Sequence, residues 1–95
     1  MKTIVEIKQD VLPKVSDDVK PYLENLLKEL GKYELSHERD PERFPITKEV
    51  LESFNALDIS IEPLGIENPK GINIKAVMTA KQILMEIAEQ RYSLK

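Results

Sequence analysis

The stretch ELSHERDPERFP, residues 34–45, gathers the side chains with the most chemical potential. It holds the only histidine, His37, with Glu34, Glu38, Asp40 and Glu42 around it and Arg39 and Arg43 between them. An imidazole beside carboxylates can ligate a divalent metal or relay a proton. A metal site, however, needs about three or four ligands held in fixed geometry. The HExxH spacing begins at His37-Glu38 and fails at Pro41, which stands where the second histidine belongs. The stretch therefore reads as a charged loop facing water, without a metal or a catalytic group. Its expected use is contact with a partner through Arg39, Arg43 and Phe44, because arginine and aromatic side chains are enriched at interface hot spots.

Other reactive arrangements fare no better. The chain has no cysteine, which excludes disulfides, thiolate catalysis and cysteine-ligated zinc. Ser36 precedes His37 in sequence, but adjacency along a chain is not triad geometry, and no GxSxG turn exposes a serine. Phosphate cradles need glycine-rich turns at helix starts, and Gly31, Gly65 and Gly71 are scattered. ENPKGIN reads as a plain turn. No cofactor is implied, and the chain reads as a non-enzyme.

The elements that would position these residues follow from periodicity. DVKPYLENLLKELG places Val19, Tyr22, Leu23, Leu26, Leu27 and Leu30 on one helical stripe. Asp17 or Asp18 is the expected cap, Pro21 falls in the first turn, and Gly31 is the expected stop. A second helix starts after Thr47, with Val50, Leu51, Phe54 and Leu57 on its apolar face and Ile46 poised to staple onto Leu51. Residues 3–8, TIVEIK, are rich in β-branched side chains and read as a strand, or else as a helical start running into residues 10–15. DISIEP alternates and also reads as a strand. Two readings of the final segment stay open. Asn73 could cap one long helix, which is the favoured reading. Alternatively INIKAVM pairs with DISIEP as a hairpin, and a helix begins at Ala80 behind a Thr79–Gln82 capping box.

Ninety-five residues, 41% apolar and 33% charged, make one small domain spanning 1–95 with a modest core. The expected fold is α+β, mostly helical, with three helices and two or three short strands; an all-α bundle is the alternative. No stretch approaches the length of a signal peptide's apolar core or a membrane span, so a cytoplasmic protein is expected. The formal net charge of −3 argues against a surface built for nucleic acid or anionic lipid. The final helix carries more apolar surface than one packing face needs, and Met78, Met85 and Tyr92 are the surplus residues. The functional expectation is a small acidic protein-binding module, of the adaptor, inhibitor, immunity or phage-accessory kind. It would act through that helix face and the Arg/Phe loop, on another protein of basic character, and as a homo-oligomer. The alternative is a DNA-associated regulator dimerising through residues 80–92. The order of two helices, a hairpin and a final helix is similar to that of a winged helix, though no motif carries the likeness. The helix that would read bases, TKEVLESFNALD, sets Glu49, Glu52 and Asp58 against Lys48 alone.

Overall fold

Leucine-rich periodicity drives the longest element. A computed structural model describes residues 2–54, 61, 64 and 71–94. Within them lie four α-helices: α1 (Ile4–Val11), α2 (Lys20–Arg39), α3 (Lys48–Phe54) and α4 (Ile74–Tyr92). A single 3-10 turn at Leu12–Lys14 follows α1. Leu23, Leu26, Leu27 and Leu30 of α2 are fully buried, and they meet Ala76, Val77, Ala80, Leu84 and Ala88 of α4. Each buried leucine contributes about 1.5–3 kcal/mol of transfer free energy. The alanines of α4 let the two backbones approach closely along this seam.

Contacts at the two ends fix the direction of the seam. Asn73, just before α4, donates to Asp18, just before α2, at 3.1 Å. Near the other ends, Arg91 and Tyr92 of α4 bond Glu34 of α2. Starts lie beside starts and ends beside ends, so α2 and α4 run parallel. Helix α1 runs against α2: Ile4 lies at Gly31, while Lys8 pairs with Glu24 at 3.4 Å. Ile4, Ile7 and Val11 place one face of α1 on the core.

The α+β expectation is corrected: the fold is all-helical, and no strand occurs among the described residues. TIVEIK forms the start of α1. Thr3 caps it by accepting from the Glu6 amide at 3.2 Å. The Thr3–Glu6 spacing was itself a capping signal. Strand propensity largely measures the fit of β-branched side chains to a half-buried surface, and α1 supplies such a surface on a helix. INIKAVM is not a strand either. Asn73 caps α4, its side chain accepting from the Ala76 amide at 3.1 Å, which supports the long-helix reading. Of DISIEP, residues 58–60, 62 and 63 lie outside the described residues; Ile61 is helical and buried.

Smaller expectations also divide. Thr47 caps α3 through the Val50 amide at 3.2 Å, as expected. Leu57 lies outside the described residues. Gly31 does not stop α2, which continues to Arg39. The helix N-cap of α2 is Val19, without a side-chain cap. Asp18 is instead occupied with Ser16 and Asn73. Ser93, in the left-handed region at φ 54°, ends α4.

Candidate functional site

The ELSHER half of the charged stretch is the last part of α2 and not a loop, which changes where its side chains go. Glu34 turns inward. It receives Arg91 Nε and the Tyr92 hydroxyl on one oxygen and Arg91 Nη2 at 3.2 Å on the other. Arg91 Nη1 donates to the Lys2 carbonyl, which ties the N-terminus into the same cluster. The Glu34 and Arg91 side chains keep only 19% and 10% of their exposure, so water screens the pair weakly.

Charge states follow from this packing. Burial pushes the Glu34 carboxyl up, but donation from Arg91 and Tyr92 and the Arg91 charge outweigh it. The net position lies below the ordinary glutamate value. The Tyr92 phenol is pushed well above its usual range, first by burial and then by its bond to Glu34. Glu34 therefore stays an anion and Tyr92 a neutral donor throughout the physiological range.

His37 sits one turn beyond Glu34 and bonds the Phe44 carbonyl through Nδ1 at 2.7 Å. A carbonyl only accepts, so Nδ1 carries a proton and donates. Behind Asp40, the C-cap of α2, the chain folds back. Arg43 and Phe44 amides bond Asp40, and the Tyr33 hydroxyl donates to the Pro45 carbonyl at 2.7 Å. The Phe44 ring meets Tyr33 edge-on with centroids 6.1 Å apart, and the Arg43 guanidinium lies 5.4 Å from its centroid.

A cleft of about 370 Å³ opens here between Glu34, His37, Glu38, Ile46, Arg91 and Tyr92. Its chemistry is largely spent on the protein itself. Glu34, Arg91, Tyr92 and His37 Nδ1 all face internal partners. No group of three or more His, Asp or Glu placed to hold a metal occurs among the described residues. The arrangement works as a lock between α2, α4 and the N-terminus. Sequence reasoning missed it because its members lie 57 residues apart with no local pattern to link them.

The interaction residues expected from sequence fall in two places. Arg39 and Arg43 are exposed, while Phe44 is half-buried by its Tyr33 contact. Met78, Met85 and Tyr92 share one stripe of α4, together with Ile74, by their helical spacing. The stripe is not uniform. Met85 and Tyr92 pack on the core, whereas Met78 is 65% and Ile74 48% exposed. The structure thus brings Arg43 to Phe44 and Met78 to Ile74, but does not join the two pairs.

A second apolar surface escaped the sequence reading. Val5 and Leu35 are 63% and 61% exposed and line one groove between α1 and α2. Leu35 was hidden by treating residues 34–45 as loop. Its signal was the continuing helical spacing from Leu27 through Gly31.

Compared with protein-family models, curated proteins and solved structures, the chain matches none. No helix among the described residues is long and apolar enough to cross a membrane.

Proposed function

We propose that this protein is a non-catalytic, cytoplasmic binding module for another protein, and that Ile74 and Met78 are its central contact. The observation that carries this reading is the pair itself: two large apolar side chains, adjacent on the first turns of α4 and left to solvent. Adjacent exposed apolar groups favour a partner that removes them from water, and methionine adapts to imperfect shapes. The reading is also supported by the polar cluster being committed to internal bonds, which leaves apolar surface as the free feature. The net charge of −3 favours a basic partner by steering its approach. Arg43, exposed over Phe44, would make a second, separate contact.

The test uses the whole chain carrying a photo-crosslinker in place of Met78, in the native cell extract treated with nuclease. A single protein crosslinked at stoichiometric yield, and lost in an Ile74→Glu/Met78→Glu variant of unchanged helicity, is the expected result. Capture that is indifferent to those substitutions, or that disappears with nuclease, overturns it. No observation favours the DNA-associated reading, since residues 74–78 of its wing are helical.

A further inference from the structure

The groove between α1 and α2 lies apart from the α4 surface and has its own logic. It measures about 460 Å³ and runs along the outer stripe of α2, with Gly31 in its floor and Val5 and Leu35 exposed on its walls. Lys28 and Glu38 also line it. Both are exposed, and neither forms an ion pair among the described residues.

These positions are symmetric about one point. Lys28 and Glu38 lie equally far on either side of Tyr33 in sequence, and so do Gly31 and Leu35. A helix rises uniformly per residue, so two antiparallel copies of α2 centred at Tyr33 place each position opposite its mirror. Lys28 then faces the other copy's Glu38, twice. Leu35 faces the other copy's Gly31, which lines the groove beside Ile4 of α1. Val5 lines the same groove, because α1 runs against α2 with Ile4 at Gly31. Each copy therefore offers an exposed leucine, an apolar groove lined by Gly31 and Val5, and two opposite charges in the order that the other copy requires.

We propose that this groove docks a second copy of the chain, forming a two-fold dimer in which α2 packs antiparallel on α2. An isologous interface needs a self-complementary patch, and this is one. Leu35 enters the partner's groove between Gly31 and Val5. Lys28 and Glu38 fix the antiparallel register against slippage. The α4 surface stays free, so the dimer presents two copies of it.

Sedimentation equilibrium of the full chain over a wide concentration range tests the proposal. A monomer–dimer equilibrium is the expected result. Leu35→Glu should weaken it more than about a hundredfold, because the axis places the buried charge twice. Lys28→Glu and Glu38→Lys should each weaken it about tenfold by setting like charges opposite. The double variant K28E/E38K should return to near the wild-type constant, since the pairs are then only exchanged. Circular dichroism checks that each exposed-site variant is folded. A strict monomer at every concentration overturns the proposal. So does a dimer unchanged by Leu35→Glu, or one abolished by Met78→Glu and left intact by Leu35→Glu. Met78→Glu is the variant that removes the proposed protein contact, so failure of that reading leaves this one standing.

Discussion

The two ends of the α2–α4 seam do the same topological job with different physics. At the starts, Asp18 takes a bond from Asn73 in the open, and the Ser16 hydroxyl is the main reason its carboxyl lies below the usual range. At the ends, Glu34 takes three donated bonds from Arg91 and Tyr92 in a largely water-excluded setting. Exposed polar pairs are screened and worth little. Weakly hydrated ones are strongly coupled, because losing one partner strands the other's charge. The lesson is that polar richness at 34–37 and 91–92 serves architecture. The large apolar side chains left to solvent lie elsewhere.

The largest effect that would break this contrast is loss of the guanidinium. Arg91→Met should destabilise the fold by about 2 kcal/mol in urea unfolding. That is less than the 3–5 kcal/mol of a fully buried pair, because Glu34 keeps some contact with water. Asn73→Ala removes the helix cap at the opposite end and should cost about 1 kcal/mol, the ordinary value of a lost N-cap.

Two backbone substitutions sharpen the picture in the other direction. Gly31→Ala should stabilise by up to about 1 kcal/mol from helix propensity. The added Cβ would sit 3.6 Å from Ile4, an ordinary contact. Ser93→Gly should stabilise by about 1 kcal/mol by relieving a left-handed serine. Glycine stands where the helix has no need of it and is missing where the cap would use it.

The smallest effect is a pH signature. The Glu34 position is lowered in the folded state, so the stability it supplies is complete above the unfolded value near 4.5. It is lost as pH falls through the lower folded value. The difference in stability between wild type and Glu34→Gln should therefore shrink on acidification below about pH 4.5 and stay flat above it. Urea midpoints between pH 3 and 7, compared for the two proteins, check this.

Much of the helical skeleton was legible in the sequence. The stripe from Val19 to Leu30, the Thr47 cap and the Asn73 cap are local patterns, and each appears as read. Failures arose where tertiary packing decides. Ile4, Val5 and Ile7 look like a strand because β-branching favours a flat half-buried surface, yet α2 supplies that surface to a helix. Gly31 looks like a stop because glycine suits a left-handed cap, yet here it lies against Ile4 and α2 continues. Extending α2 by those residues moved Glu34 inward and Leu35 outward, and with them both the lock and the groove. Met78 was legible as surplus apolar surface. The burial of Met85 and Tyr92 was not, since helical spacing alone cannot say which part of a stripe is covered.

The central claim is that the Glu34–Arg91 cluster is a structural lock between α2 and α4. A double-mutant cycle on Glu34 and Arg91, read by urea unfolding, tests it most directly. The account predicts a coupling above about 1 kcal/mol, with Glu34→Met/Arg91→Met recovering most of the stability lost by either single change. Single substitutions that leave stability unchanged or raise it, as is common where residues are kept for activity, would contradict it.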